Sequence, residues 1–212
     1  MGVDHVNYQI ILDKTIEQIK KAGERPRLLL HACCAPCSSY VLEYLSEYFE
    51  ITLFFYNPNI SPRSEYDMRL EELRRLTADM GLGGEVTVVN SDYTPELFRE
   101  MAKGLEHLPE GGERCRRCYA MRLRKASEAA RAGGYDYFTT TLSISPHKNA
   151  AWLNDIGARL SEETGVKYLF SDFKKKGGYL RSCELSKKYD LYRQSFCGCV
   201  YSKIQSKTQN EK

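Results

Sequence analysis

Eight cysteines carry most of the chemistry available to this sequence, and they are not scattered. Cys33, Cys34 and Cys37 sit together, Cys115 and Cys118 form a C-x-x-C, Cys197 and Cys199 form a C-x-C, and Cys183 stands apart. Thiols at i and i+3 of a helix lie about one turn apart and can share a metal centre. A lone C-x-x-C is a weak signal. Joined by the adjacent Cys33 and Cys34, it gives four thiolates, the ligand set of both an all-cysteine zinc site and a cubane iron–sulfur cluster. Structural zinc usually sits in a small knuckle that folds around it, whereas this chain is long enough for a full core. The neighbouring thiols Cys197 and Cys199 suit redox work. Both points favour iron over a structural zinc with spare buried cysteines. Cys37 and Cys183 are left over, as ligands of a second ion or as small buried hydrophobes.

The composition narrows the setting. At 212 residues the chain suits one domain with one core. Lys and Arg number 31 against 28 Asp and Glu, a net charge of +3, so nucleic-acid contact must rest on local patches. The first twenty residues carry Asp4, His5, Asp13, Lys14 and Glu17, which breaks the apolar run of a signal peptide, and no later run is long enough to span a membrane. A cytoplasmic address with no membrane partner is expected, and there a disulfide framework is rare.

The elements that must position the cysteines read as alternating strands and helices. An amphipathic helix over residues 7–22 is followed by strands at 27–31, 51–56, 85–89, 135–141 and 166–170. Helices are expected at 38–49, from 61 to 80, at 95–103, 113–132, 147–163 and 180–188. Crossover helices between strands predict an α/β, doubly wound, mainly parallel five-stranded sheet with a C-terminal helical extension. The expected divisions are an N-terminal helix (1–26), an α/β core (27–171), a cysteine-bearing extension (172–202) and a disordered tail (203–212). In such a sheet the loops after strands and the starts of crossover helices meet at the carboxyl edge. All the cysteines occupy such positions, so they are expected to converge. Those at the strand-to-helix turn after residue 31 also face a helix N-terminus, where an anionic centre is tolerated.

Five motifs stand in order along this frame: His31-Ala32-Cys33-Cys34-Ala35-Pro36-Cys37, Tyr56-Asn57-Pro58-Asn59-Ile60, Cys115-Arg116-Arg117-Cys118-Tyr119, the stretch Thr139 to Lys148 containing Ser145-Pro146-His147-Lys148, and Tyr192 to Cys199 ending in Phe196-Cys197-Gly198-Cys199. In these the sequence resembles the epoxyqueuosine reductase family of the QueH type, over residues 27–202. The resemblance implies reduction of the epoxide of epoxyqueuosine at the tRNA wobble position to queuosine. It also implies a 4Fe-4S cluster on Cys33, Cys34, Cys115 and Cys118, and a redox-active disulfide between Cys197 and Cys199. The implied partners are tRNA carrying epoxyqueuosine and an unidentified electron donor. The family is similar to the adenine-nucleotide alpha-hydrolase-like (HUP-like) folds, which include tRNA-thiolating ATPases. Here the loop after the first strand lacks a Ser-Gly-Gly phosphate cradle, so ATP chemistry is not carried over.

Turning an epoxide into an alkene consumes two electrons and two protons, so an acid must stand near the departing oxygen. His147, near a helix start, Asp13, at a helix position, and Asp172, just past the last strand, are the candidates, of which Asp172 has the better address on the sheet edge, while His31 inside a strand reads as a core histidine. A second mononuclear iron on Cys37, Cys197 and Cys199 would supply a Lewis acid instead. Lys174, Lys175, Lys176 and Arg181, with Tyr179 among them, form the candidate RNA-binding patch. Arg114, Arg116, Arg117, Arg122 and Arg124 either flank the anionic cluster or reach phosphate. The competing function from another class is a zinc-stabilised RNA-binding module without redox activity.

Overall fold

The computed structural model describes residues 6–210, with side chains through Gln205. Helix α1 (Tyr8–Ala22) begins where the Asn7 side chain accepts from the Gln9 and Ile10 amides and stops at Gly23, whose φ of 67° closes the last turn. Strand β1 (Arg27–His31) follows and feeds α2 (Ala35–Leu45). That helix starts three residues earlier than its apolar spacing predicts, because Cys34 is its N-cap and Pro36 suits its first turn. The chain continues through β2 (Glu50–Phe55), α3 (Arg63–Asp79), β3 (Thr87–Asn90), α4 (Pro95–Ala102) and α5 (Glu113–Ala132). Strand β4 (Tyr137–Thr140), a single 3-10 turn (Thr141–Ile144), α6 (Ala150–Thr164) and β5 (Lys167–Tyr168) complete the alternation. The C-terminal extension carries α7 (Gly178–Lys188) and α8 (Val200–Asn210).

All strands are parallel, in the order β3-β2-β1-β4-β5, as a doubly wound sheet requires. In β1, Leu28 and Leu30 point into one layer with α1, α2 and α3, and Leu29 points into the other with α5 and α6. Leu28, Leu30, Leu42, Leu53, Leu73, Leu123 and Phe138 are fully buried, each contributing about 1.5–3 kcal/mol of transfer free energy. At Gly157 of α6, a Cβ would stand 2.5 Å from the Tyr168 ring, so only glycine lets that helix lie this close to β5.

Other boundaries also differ from the sequence expectation. The helix expected from His147 begins at Ala150, capped by Asn149, whose side chain accepts from the Trp152 amide at 3.1 Å. Strand β5 is shorter than 166–170. The tail expected to be disordered from 203 is helical as far as Asn210, and residues 211 and 212 lie outside the described residues. Helix α8 has an anchor that local sequence does not reveal: Tyr201 packs on Phe98 and under the Arg114 guanidinium. Among the described residues, no helix is long and apolar enough to cross a membrane.

Candidate metal and redox site

The sheet order reverses between β1 and β4, and ligands of such sheets bind in the crevice outside the carboxyl ends at that point. Here β1 runs into Cys33 and Cys34, and β4 runs into Thr141, whose hydroxyl lies 3.6 Å from Cys33 Sγ. A pocket of 490 Å³ opens there, lined by Cys33, Cys34, Cys37, Arg122, Lys148 and Cys197 among others. The Sγ atoms of Cys33, Cys34 and Cys37 all lie within 4.8 Å of one another, a soft donor set that could hold a metal ion. Without metal the three share protons. Hydrogen bonds from Cys34 and Cys37 hold Cys33 well below the ordinary thiol value, and the same bonds push Cys34 up to about 12 and Cys37 well above its usual range.

Cys115 and Cys118 lie in the opening turns of α5, behind the pocket wall. Cys115 packs in the same apolar cluster as Cys33 and Cys34, and its sulfur accepts from the Gly111 amide at 3.3 Å. Cys118 packs against Cys199 and Phe98. Burial raises both α5 thiols, Cys118 to about 11, and raises Cys199 to about 12. Between these groups runs Arg122, 1% exposed and acted on electrostatically by Cys118, Cys33 and Cys197. Its Nη2 donates to Asn57 Oδ1, its Nε is buried with no partner, and among the described residues no carboxylate is paired with it. A buried cation surrounded by sulfur fits an anionic thiolate or metal–thiolate centre better than four neutral thiols. The residues present therefore fit a metal–sulfur group.

The C-x-C turn is docked on the opposite wall. Arg69, 3% exposed and paired with Glu65 at 2.7 Å, donates to the Cys197 carbonyl at 3.2 Å and lies over the Phe196 ring. The Ser61 amide donates to the Gly198 carbonyl at 3.0 Å. Gly198 has φ of 110°, a backbone region that side chains with a Cβ rarely enter. Both cysteines are thiols, and their surroundings differ. Cys197 Sγ faces the pocket and accepts from Lys148 Nζ at 3.3 Å, while Cys199 Sγ is turned inward and accepts from the Ser202 amide at 3.3 Å. Lys148 is bonded in turn to Glu110 at 3.0 Å, and Glu110 accepts from the Ser202 hydroxyl at 2.6 Å. Burial would lower Lys148, yet Cys197, Tyr119 and Glu110 hold it well above its ordinary value.

The other sequence candidates are placed unevenly. His147 lines the pocket and is exposed, while its neighbour Lys148 makes the buried contacts. Asp172, 7% exposed, is bonded to Lys174 and does not line the pocket. His31 is fully buried, with its ring nitrogens 2.8 Å from Thr140 Oγ1 and 3.1 Å from the Tyr56 carbonyl, and burial lowers it to about 3. Cys37 bonds to Cys33 and Cys34, away from the Lys148 contact of Cys197, so no triad of Cys37, Cys197 and Cys199 is assembled. Cys183 is half-buried on α7 and does not line the pocket. In the cationic patch, Lys174 pairs with Asp172, Lys176 with Asp13, and Arg181 with Glu43 and Glu184, while Lys175 is exposed. Asn57, Arg69, Glu110 and Lys148 are the site residues that sequence reasoning did not single out. Asn57 and Lys148 lie inside quoted motifs, whereas nothing local marks Arg69 or Glu110.

Comparison with known proteins bears on the same residues. The family model described as Epoxyqueuosine reductase QueH matches residues 28–205, from β1 into α8. Proteins of that name from Staphylococcus epidermidis and Streptococcus pyogenes are 45% and 43% identical to this chain, each over 93% of it and over 84% and 78% of their own lengths. A further one, from Thermotoga maritima, is 36% identical over 86% of this chain and 93% of its own. The match spans every cysteine motif of the crevice at identities far above those of chance, and the chain belongs to the epoxyqueuosine reductase QueH family.

Proposed function

We propose that this protein is an oxidoreductase that reduces epoxyqueuosine to queuosine at the wobble position of a tRNA. In this reading Cys33, Cys34, Cys115 and Cys118 hold a 4Fe-4S cluster, and Cys197 and Cys199 work as a dithiol–disulfide pair. One observation carries it: the buried Arg122 lines the same pocket as Cys33, Cys34 and Cys197, lies one helical turn from Cys118, and is paired with no carboxylate among the described residues. Such a cation needs an anionic centre, and it stands beside a pocket large enough for a modified base. A zinc-stabilised RNA-binding module would leave the Cys197 and Lys148 contact without a purpose, and the relatives are named as reductases.

The chemistry balances on this chain's own groups. The epoxide takes up two electrons and two protons and leaves an alkene and water. Oxidation of Cys197 and Cys199 to one disulfide releases two electrons and two protons. A cluster, when bound, supplies electrons one at a time. Lys148 Nζ, shared between Cys197 Sγ and Glu110, holds a proton on the pocket wall where the departing oxygen can take it. Thr141 and Arg122 steady the Cys33 sulfur, and Arg69 steadies the backbone of Cys197. Tyr179 and Arg193 border the pocket mouth, and an aromatic face beside a cation suits an unstacked base. Of the RNA contacts assigned to Lys174, Lys175, Lys176 and Arg181, those of Lys176 and Arg181 require exposed ion pairs to exchange partners, which costs about 0–1 kcal/mol each, and Lys174 must leave the buried Asp172.

Anaerobic purification followed by iron, acid-labile sulfide and zinc analysis tests this reading. Four iron and four sulfide per chain are expected for a cubane cluster (~4 of each). Stoichiometric zinc without sulfide refutes it.

A further inference from the structure

We infer that Arg122 is the fixed counter-charge of the cysteine centre, a positioning residue that raises the reduction potential of the metal–sulfur group held there. The inference rests on the cluster reading above and assigns a role within it. Helix α5 sets Arg122 four residues after Cys118, on the same face, and helical side chains lean back towards the N-terminus, so the guanidinium is delivered to the sulfurs. Its orientation is then fixed from the other side. Nη2 donates to Asn57 Oδ1, and Asn57 Nδ2 donates at 3.0 Å to the carbonyl of Ala32, the residue before Cys33. One chain of hydrogen bonds therefore ties the cation to the turn that presents Cys33 and Cys34.

The neighbouring arginines show what Arg122 does not do. Arg114 holds the carbonyls of Leu105, Glu106 and Leu108, Arg117 pairs with Glu113, and Arg124 pairs with Glu163. Arg114 also acts on one sulfur, that of Cys199, and has a buried Nη2 with no protein acceptor, whereas Arg122 is acted on by Cys118, Cys33 and Cys197 together and its Nε is buried with no protein acceptor. A polar atom left unpaired in the interior is unfavourable unless something else meets it, and a metal–sulfur group held by the neighbouring cysteines would supply an acceptor. Reduction adds one negative charge to a metal–sulfur group. A cation fixed in a low-dielectric site stabilises the more negative state more strongly, so the potential moves up. The centre then accepts an electron from its donor more readily.

The test uses the full chain, purified anaerobically, as wild type, Arg122→Gln and Arg122→Lys. Iron and sulfide are counted, and the midpoint potential is read by a redox titration followed by electron paramagnetic resonance. The expected result is a full cluster in Arg122→Gln with a more negative midpoint, and an Arg122→Lys midpoint closer to wild type. If Arg122→Gln fails to fold or to hold iron, Arg122→Met, which also removes the charge, is titrated in its place, with a more negative midpoint expected and a wild-type midpoint overturning the inference. A full cluster in Arg122→Gln at the wild-type midpoint overturns the inference, as does loss of the cluster from every variant, which would assign Arg122 a role in shape and not in charge. Wild-type protein with zinc and no sulfide overturns the cluster reading itself, and is told apart because it appears before any substitution.

Discussion

Replacing Gly198 by alanine should uncouple the C-x-C turn from the pocket while leaving the fold intact. The backbone at Gly198 has φ of 110°, where an L side chain costs about 1–3 kcal/mol. The new Cβ would stand 3.0 Å from Ile60 Cγ1 and 3.1 Å from Arg69 Nη1. Arg69 cannot move aside freely, because Glu65, the Cys197 carbonyl and the Phe196 ring all hold it. The strain is therefore relieved by undocking the turn, and a cost of about 1–3 kcal/mol lowers the ratio of docked to undocked turn about 5–150-fold. The sheet lies elsewhere, so urea unfolding of the core should be unchanged. Turnover should fall with the docked fraction, by at most that factor, and Cys197 and Cys199 should react faster with an alkylating agent as they leave Lys148 and the Ser202 amide. Wild-type turnover and alkylation rates in Gly198→Ala would refute the reasoning, because the turn would then work in either position.

Three further outcomes follow from the same geometry. Cys115→Ser and Cys118→Ser should lose the broad visible absorbance of an iron–sulfur cluster, because hydroxyl oxygen is a poor substitute for thiolate, whereas Cys197→Ser and Cys199→Ser should keep it and lose turnover; absorbance spectra decide. Lys175→Ala should reduce the salt dependence of tRNA affinity by about one unit of slope, and Lys176→Ala by less, since Lys176 must first leave Asp13; binding titrations at several salt concentrations separate the two. His31 should stay neutral well below pH 6.5, as burial lowers it to about 3. Because its folded value lies below its unfolded one, the unfolded chain binds the proton first, and stability falls by about 1.4 kcal/mol per pH unit as pH drops from about 6.5 towards 3. A ring proton resonance of His31 that titrates near pH 6.5 would contradict this.

The sheet and its carboxyl-edge chemistry were legible because they rest on local signals: leucine runs, helix stops at glycine, and cysteines placed after strands or at helix starts. The alternation predicts a parallel sheet but not its strand order, which the structure gives as β3-β2-β1-β4-β5, and the reversal between β1 and β4 locates the crevice. What was not legible depends on long-range partners. Glu110 lies in what reads as a polar loop, and only its bonds to Lys148 and Ser202 give it a place in the site. Arg69 stands four residues after Glu65 on α3, a spacing that says nothing of burial, yet the C-x-C turn covers it to 3% exposure. His147 and Lys148 are adjacent in an irregular stretch between the 3-10 turn and α6, where no periodicity says which side chain turns inward. The cations of the expected RNA patch look free in the sequence because their partners, Asp13 and Glu43, are far away along the chain.

The central claim is tested most directly on the product. Anaerobic enzyme, a reductant and tRNA carrying epoxyqueuosine are incubated together, and the nucleosides are then digested and weighed by mass spectrometry. The account predicts that the modified nucleoside loses one oxygen atom, that the loss needs both reductant and an intact cluster, and that Cys197→Ser abolishes it. A protein with its full complement of iron and sulfide that leaves the epoxide unchanged would contradict the account.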